Sequence, residues 1–451
     1  MFQKITSAWR DDDILRRVVL SSSVLFSSNT ISLALSVVQS ILAARLLGPA
    51  GFGLLAIVMA YASTVNGLLS FRMSELVVRY GGEYLETGEK EKMSALVKAA
   101  ALSEALVSAL SFVVVVVSAG LAATYIAKVP EAAGLFILYS LGLLANFNAE
   151  TARGVLQSLD KIRLEGVINL VQSILTAALI AFAFFSKGSL QSVLYAYLVG
   201  KVVLGLGMFL TAFIHLTRRL GMDWWRSSLA VLPRVREMTR FAISSNLSAT
   251  FILLFRESEI LWVGYFLSSE AAGYYKAAYA IASLLSVPAN PLILTTYPEL
   301  NRLIVQKAWP RLRDFLRKVT SLAAVYNLAI AAGFILFGRW LLGLYGPAYV
   351  AAYPALIALL AGLVFNYTLF WNRPLLLSLG QPEFPLTATL TAGLVKLSLG
   401  FGFVPRYGYV AEAALLSFYY IASVGAIAWR GMKEIRNREL HREDAKNAKS
   451  S

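Results

Sequence analysis

The sequence is poor in the residues that build catalytic and metal sites. It has no cysteine and only two histidines among 451 residues, which excludes disulfides, thiolate nucleophiles and cysteine-ligated metals. His215 and His441 stand far apart, and neither a Gly-rich phosphate loop nor a metal-ligand cluster accompanies them. We therefore predict no catalytic residues, no metal site and no bound cofactor.

Charge is scarce as well. Charged residues make up 15% of the chain and hydrophobic residues 58%, against about 25% and roughly 45–50% in an ordinary globular chain. The first residues, with the run Asp11-Asp12-Asp13, lack the apolar core and small-residue cleavage site of a signal peptide, so we expect none. These proportions exclude an ordinary soluble domain and indicate a membrane protein.

Apolar runs are what the sequence has in abundance. Many are about 20 residues or longer, enough to cross the ~30 Å hydrocarbon core of a bilayer. The chain is therefore predicted to be an all-α polytopic membrane protein with about twelve transmembrane helices. The predicted spans are 18–44, 51–76, 95–121, 131–152, 165–186, 190–216, 240–267, 271–294, 319–343, 350–372, 384–404 and 409–430.

The basic residues predict the orientation. Most of the 41 Lys and Arg residues fall before the first span, in every second connection after it, and in the tail. The other connections hold only Arg45, Lys128, Lys187, Arg339 and Arg406. By the positive-inside rule both termini are cytoplasmic. Anionic inner-leaflet lipid then explains the net charge of +15, so membrane lipids are predicted partners and nucleic acid is not.

The two halves of the chain align without a gap when Gly142 is placed on Gly362. Seven of 18 positions are then identical between 142–159 and 362–379, and the same shift places Gly53 on Gly273. Six spans per half is an even number, so the halves face the same way, as parallel repeats do in many transporters. A chance alignment of two similar apolar halves is the alternative.

This repeat predicts the domain organisation. An N-lobe at 18–216 and a C-lobe at 240–430 each contain six spans. Residues 1–17 are expected to form an amphipathic cytoplasmic N-terminus, and 431–451 a charged, frayed cytoplasmic tail. The cytoplasmic linker 217–239 mixes tryptophan, leucine and arginine, which predicts a short helix lying in the membrane interface.

The seventh span places three charges, Arg256, Glu257 and Glu259, inside an apolar run. Arg256 lies 11 residues before Leu267, about 16 Å at 1.5 Å per residue, which is close to the bilayer midplane. A charge there costs about 2.5–3.5 kcal/mol on insertion scales, so these groups should face a partner or a wet cavity. Arg256 and Glu259 lie on one helical face and can pair, so a structural ion pair is one interpretation.

Two lysines also lie near mid-depth. Lys201 and Lys396 stand in the sixth and eleventh spans, and we expect them to have structural roles within each lobe. Glu104 and Glu412 are the candidate partners for these lysines.

Four motifs carry a family resemblance. They are ARLLGPAGFG at 44–53, its repeat FLSSEAAGYY at 266–275, RGVLQSLD at 153–160 and LYGPAY at 344–349. With them, nearly the whole chain resembles the polysaccharide (O-antigen-type, lipid-linked oligosaccharide) flippases of the multidrug/oligosaccharidyl-lipid/polysaccharide exporter superfamily. Related flippases often carry an aspartate in the seventh span, where this chain has Glu257 and Glu259.

The resemblance implies a mechanism and partners. Such proteins move an undecaprenyl-pyrophosphate-linked oligosaccharide from the inner to the outer leaflet by alternating access. Two six-helix lobes surround a central cavity lined by the first two helices of each lobe. The expected location is the cell inner membrane, and the expected state is a monomer. Lipid-linked oligosaccharide is the predicted partner, together with other proteins of polysaccharide assembly.

The resemblance also suggests roles for the charged residues. Arg256 would bind the pyrophosphate through paired N–H donors, with Arg45, Arg72 and Lys276 as further substrate-binding candidates. Snorkelling to the interface would equally explain Arg45 and Lys276, and an interfacial pair would explain Arg72. Glu257 and Glu259 are the candidates for coupling to H⁺ or Na⁺.

A proline-containing hinge is predicted in the eighth span. The pair Asn290-Pro291 interrupts the apolar run, and proline removes a helical hydrogen bond.

Two other functions remain open. A cation-coupled exporter of drugs or other amphiphiles has the same superfamily features. A membrane-embedded glycosyltransferase or polymerase is less consistent, because its acid and base groups usually lie on a sizeable loop and the predicted outer loops here are short.

Overall fold

The computed structural model describes residues 13–70, 73–232, 237–238 and 253–450 of the chain. Within these ranges the chain is almost entirely helical and contains no strand. Helix is the expected outcome for long apolar segments in lipid, because each backbone N–H and C=O must find its partner inside the segment.

The first part of the chain contributes seven α-helices. They are α1 (Asp13–Leu69), α2 (Met73–Glu86), α3 (Lys90–Leu121), α4 (Ala133–Ala145), α5 (Ala149–Ser158), α6 (Ile162–Phe185) and α7 (Leu190–Leu220).

The second part contributes eight more. They are α8 (Glu259–Phe266), α9 (Ser269–Ala282), α10 (Ser286–Val305), α11 (Trp309–Tyr345), α12 (Tyr353–Thr368), α13 (Asn372–Ser378), α14 (Glu383–Tyr407) and α15 (Tyr409–Ser450). A π-helical turn, Leu253–Glu257, precedes α8, and a 3-10 turn, Ser283–Leu285, separates α9 from α10.

These helices agree with the predicted spans. Nine helices in the described ranges are long and apolar enough to cross a membrane, and Ser27–Leu69 among them covers most of the first two predicted spans, 18–44 and 51–76. The seventh predicted span includes residues outside the described ranges, and the eighth is divided between α9 and α10. Many apolar side chains face outward, such as Val117 at 79% exposure. An outward apolar surface of this kind is what a lipid environment requires.

The first two spans meet at a kink rather than at a loop. Gly48 has φ 65° and ψ 177° inside the otherwise continuous helix α1. This left-handed φ suits glycine, which has no Cβ to clash, and Pro49 follows it, where the missing N–H weakens the helix. The predicted break at 48–51 is thereby confirmed.

Contacts between Cα atoms divide the chain into two units. The first comprises residues 1–47 and 58–253, and the second comprises residues 48–57 and 254–451. The segment 48–57 therefore packs with the C-terminal part of the chain. The lobe boundaries predicted at 18–216 and 240–430 remain predictions.

Each unit has its own buried core. In the first, Val77, Met93, Leu156 and neighbouring apolar residues form one cluster. In the second, Leu312, Leu375, Ile435 and their neighbours form another.

A close contact between backbones explains why 48–57 belongs to the second unit. A Cβ atom at Gly53 would lie only 1.7 Å from the carbonyl oxygen of Ser269. A Cβ atom at Gly273 would lie 2.1 Å from the carbonyl oxygen of Pro49. Only glycine at both positions lets this part of α1 and α9 approach so closely.

Two expectations about the peripheral segments are wrong. In the described part of the linker 217–239, two 3-10 turns, Trp224–Arg226 and Leu229–Val231, stand where one short helix is expected, and residues 237–238 are helical. Gly221 ends α7 with φ 106°, and Ser227 takes an extended ψ, so the helix cannot continue. The location of the linker in the membrane interface stays a prediction.

The tail, expected to be frayed, is helical to Ser450 as the end of α15. Arg438 bonds Glu434 one turn earlier at 2.8 Å, a spacing that supports helix. An ion pair between Glu439 and Arg313 of α11 ties the tail to the second unit.

Candidate functional site

Three charged side chains meet inside the second unit. Glu259 on α8, Lys396 on α14 and Glu412 on α15 are each only 2–3% exposed. The Lys396 ammonium forms an ion pair with Glu259 and lies 3.0 Å from Oε1 of Glu412. We call Glu259, Lys396 and Glu412 the buried triad.

Two further groups complete the coordination of the triad. The phenol of Tyr275, on α9, donates a hydrogen bond to Oε2 of Glu259. Lys396 also donates to the backbone carbonyl of Phe255, at 3.1 Å. The Lys396 ammonium thus donates hydrogen bonds to Glu259 and to the Phe255 carbonyl, and it lies within ion-pair distance of Glu412. The contact with Glu412 is electrostatic, because its Oε1 lacks hydrogen-bond geometry.

The local backbone explains why a carbonyl is available there. Leu253–Glu257 forms a π-helical turn, and an α-helix resumes only at Glu259. Wider π turns displace carbonyls from the regular ladder and are frequent at functional sites. Ser258 stabilises the junction, since its hydroxyl donates to the carbonyl of Leu254 at 2.6 Å and accepts from Trp262 Nε1 at 3.1 Å.

Close packing holds α14 against this turn. The ring of Phe255 occupies the space beside Gly393, where a Cβ atom would lie 2.3 Å from the ring. Gly393 precedes Lys396 by three residues, so the two lie on one face of α14. The contact between the Phe255 ring and Gly393 therefore fixes the spacing between α14 and the π turn, and with it the position of Lys396 against Glu259.

The charges of the triad do not balance when both carboxylates are ionised. Two ionised carboxylates around one ammonium carry one excess negative charge. Buried charge without compensation is expensive in a membrane, so this group is suited to take up one proton or one monovalent cation. A change of partner at Glu259 would also change the packing of three helices, α8, α9 and α14.

The first unit has a neutral counterpart at the same repeat position. In the alignment of the two halves, Gln39 falls on Glu259. Gln39 is 4% exposed and donates from Nε2 to the carbonyl of Ser173 at 2.9 Å. Thr176 falls on Lys396 in the same alignment, is fully buried and accepts a hydrogen bond from Gln172 at 2.9 Å.

Other predicted site residues have different positions. The backbone of Arg256 and Glu257 belongs to the π turn, but their side chains lie outside the described residues, and so does all of Arg72. Arg45 is exposed on α1, whereas Lys276 is half-buried on α9. None of these assignments is tested by the geometry, and neither is the expected Arg256–Glu259 pair.

The predicted hinge lies within a helix. The backbone of Asn290 and Pro291 is helical as part of α10, and their side chains lie outside the described residues. The 3-10 turn Ser283–Leu285 is the nearest departure from α-helix geometry. The hinge stays a prediction.

The expected partners of the two mid-depth lysines were half right. Lys396 does meet Glu412. The Lys201 ammonium, in contrast, lies 5.0 Å from the centre of the Tyr139 ring. Glu104 accepts hydrogen bonds at 2.8 Å from the backbone N–H groups of Glu150 and Thr151, so it caps the start of α5.

Sequence reasoning missed the importance of Lys396 and Tyr275. Tyr275 carries no signal of its own, because tyrosine is common in membrane spans. Lys396 is predicted to have a structural role within its lobe, and nothing in its span connects it with Glu259. The repeat offers one signal, because a Gln–Thr pair in one half aligns with a Glu–Lys pair in the other.

Comparisons with known proteins agree with this architecture. The family model described as "Polysaccharide biosynthesis protein" matches residues 18–304, more than half of the chain. The inner membrane protein YghQ of Escherichia coli is 25% identical over 362 residues, which cover 76% of this chain and 97% of that protein.

Solved structures share the fold. An inward-facing multidrug resistance MATE family transporter of the MOP superfamily has a TM-score of 0.75 at 16% identity, covering 91% of this chain and 96% of its own. A MOP superfamily transporter from Pyrococcus furiosus, described by the reverse polarity of its binding pocket, has a TM-score of 0.63 at 16% identity. That match covers 94% of this chain and 95% of the other. The family model spans both the first unit and the helices that begin the second, so the chain belongs to the polysaccharide biosynthesis protein family.

Proposed function

We propose that this protein is a flippase that moves an undecaprenyl-pyrophosphate-linked oligosaccharide from the inner to the outer leaflet by alternating access. The family match to polysaccharide biosynthesis proteins, in a chain with a transporter fold, is the observation that carries the proposal. The relative named as an inner membrane protein supports location in the inner membrane. Cytoplasmic termini, a monomeric state and contacts with other polysaccharide-assembly proteins belong to the same proposal.

The buried triad is our proposed coupling site. Glu259 lies eight residues before the turn at Leu267, about 12 Å along the helix, which is the outer half of the membrane in the proposed orientation. A proton or Na⁺ from outside would neutralise the excess negative charge and weaken the ion pair between Glu259 and Lys396. Glu257 remains a second coupling candidate on the same turn.

Substrate binding is assigned to cations. Arg256 stands three residues before Glu259 and is proposed to hold the pyrophosphate through its planar fork of donors. Lys276, half-buried on α9, has no ion-pair partner among the described residues, so it is a further candidate. Arg45 and Arg72 complete the proposed set, and Asn290-Pro291 is the proposed hinge.

An assay in proteoliposomes tests the proposal. Transfer of a labelled undecaprenyl-pyrophosphate oligosaccharide would be measured with and without a proton gradient for the wild type, Arg256→Ala and Glu259→Gln. We expect flux in the wild type, little in Arg256→Ala, and flux without a response to the gradient in Glu259→Gln. Glu299→Gln, the same chemical change at a partly exposed position on α10, is the matched control and should behave as wild type.

The outcomes of this assay test the flippase activity and the coupling role of Glu259 separately. Absence of flux in the correctly inserted wild type, with several glycans, rejects the flippase. Flux in Glu259→Gln that still follows the gradient as in wild type rejects the coupling role alone.

The multidrug transporters among the fold neighbours favour one other function, cation-coupled export of drugs or other amphiphiles. Efflux of a cationic dye from cells producing the protein, compared with cells producing Glu259→Gln, would distinguish it.

A further inference from the structure

A cationic cleft lies at one end of the first unit. It has a volume of about 810 Å³ and is lined by the end of α7, the end of α2 and the turn between α5 and α6. Its charged and titratable lining residues are Lys161, Arg218, Arg219, His215, Glu86 and Asp160. The volume is that of a site for a small ligand. We call it the α7 cleft.

The cations of the α7 cleft are available to a ligand. Within the described part of the chain, Lys161, Arg218 and Arg219 have no carboxylate at ion-pair distance, and Arg218 and Arg219 are exposed. Three cations and two carboxylates leave the lining one positive charge in excess, His215 not counted. A ligand with one negative charge and hydroxyl donors for Glu86 and Asp160 would match it.

The surface above the α7 cleft is apolar. Leu206, Leu210 and Ile214 are exposed on α7 and spaced by four residues, and Arg218 continues the same row into the cleft. Residues at this spacing form a ridge along a helix. The row therefore changes from lipid-facing to cationic within one turn, as at a boundary between acyl chains and headgroups.

Trp225 and Arg226 indicate the depth of the α7 cleft in the membrane. Trp225, in the turn after α7, is 49% exposed and lies beneath the Arg226 guanidinium, 4.9 Å from its ring centre. Exposed tryptophan beside arginine is typical of the membrane–water interface. The end of α7 is thereby placed at headgroup depth, on the side where Lys and Arg residues collect.

We propose that the α7 cleft binds the headgroup of an anionic glycerophospholipid, with the phosphodiester on Lys161, Arg218 and Arg219 and the acyl chains along Leu206, Leu210 and Ile214. Phosphatidylglycerol fits by charge and by its free hydroxyls. A zwitterionic headgroup leaves the excess positive charge unmatched. The site is independent of what the protein transports.

The structure offers two ways to remove the site. Arg218→Gln with Arg219→Gln removes charge, whereas Gly82→Trp fills the cleft, because a Cβ atom at Gly82 meets no atom within 4 Å. The matched controls are Arg311→Gln with Arg317→Gln, two exposed arginines on α11, and Gly120→Trp, a second helical glycine with open space around it.

Native mass spectrometry of the full chain in detergent, with phosphatidylglycerol or phosphatidylethanolamine added, tests the proposal. We expect preferential adducts with phosphatidylglycerol and a loss of affinity of about tenfold or more in both cleft variants, since each basic residue near anionic lipid contributes severalfold. Both controls should retain the adducts, and all variants should elute as wild type in size exclusion.

Three outcomes would overturn the proposal. One is equal binding of both lipids, and another is equal loss in the cleft and control variants, which would indicate diffuse electrostatics. The third is displacement by glycerol 3-phosphate at the same concentration as the lipid, which would identify a soluble phosphate ligand.

Discussion

The two sequence repeats carry different chemistry at one equivalent position. In the second unit, Glu259 and Lys396 form an ion pair that Glu412 extends. At the repeat-related position in the first unit, Gln39 bonds a backbone carbonyl and Thr176 takes the place of the lysine. Neutral side chains with separate hydrogen-bond partners occupy these positions in the first unit, so the helices do not require charge at both repeat-related sites. This difference favours a functional reason for the buried triad.

The free energy of burying each arrangement supports the same conclusion, that the charges of the triad have a functional reason. A hydrogen bond between uncharged groups contributes about 1 kcal/mol to stability, and burying the two bonded groups costs little net desolvation free energy. A buried ion pair must offset the desolvation of both ions and is often no more stabilising than apolar packing. At this repeat-related position the second unit bears this cost and the described residues of the first unit do not, so we expect the two halves to respond differently to matched substitutions.

The largest effect is expected at Lys396. Lys396→Met removes the only cation of the triad and leaves two carboxylates uncompensated, a change that costs about 3–5 kcal/mol for buried pairs. We expect a clear fall in the unfolding temperature of the detergent-solubilised protein, followed by tryptophan fluorescence. Adding Glu259→Gln to Lys396→Met should restore part of the loss.

Lys276→Met is the control, since Lys276 is half-buried without an ion-pair partner among the described residues. If Lys396→Met unfolds at the wild-type temperature, the triad contributes no electrostatic stability.

An intermediate effect is expected when the charge is moved to the first unit. Gln39→Glu introduces a carboxylate where no lysine stands, at a cost of about 2–3 kcal/mol. The double variant Gln39→Glu, Thr176→Lys places the pair of the second unit at the equivalent positions of the first, and should be more stable than Gln39→Glu alone. The comparison of the two unfolding temperatures measures how closely the repeats match. A double variant less stable than the single would contradict their equivalence.

The smallest effect is expected at Glu412. Glu412→Gln leaves Lys396 with Glu259 and the Phe255 carbonyl, and the lost contact has no hydrogen-bond geometry. We expect a change of about 1 kcal/mol or less in unfolding free energy. A loss as large as that of Lys396→Met would instead show that Glu412 is the principal partner.

Much of the fold was predictable from the sequence. Span length follows directly from bilayer thickness, and the Gly48–Pro49 break follows from the conformational limits of those two residues. The peripheral segments were harder. The tail was expected to fray because it is polar, yet the Glu434–Arg438 pair and contact with α11 continue the helix.

The site was predictable only in part. Glu259 stood out because a carboxylate in an apolar run is costly. Its partner Lys396 lies 137 residues away, and that pairing depends on the π turn and on the ring of Phe255 beside Gly393, neither of which leaves a periodic pattern. The Arg256–Glu259 pair, inferred from helical spacing, stays a prediction, because the Arg256 side chain lies outside the described residues.

The glycine contact between α1 and α9 has a consequence for the history of the chain. Gly53 faces Ser269 while Gly273 faces Pro49, and the alignment of the two halves converts each of these pairs into the other. Such a reciprocal contact is isologous, the kind that two identical subunits make across a dimer interface. It is what duplication and fusion of a six-helix ancestor that formed dimers would leave behind. Replacing one glycine then damages an interface that both copies of the ancestral surface still share.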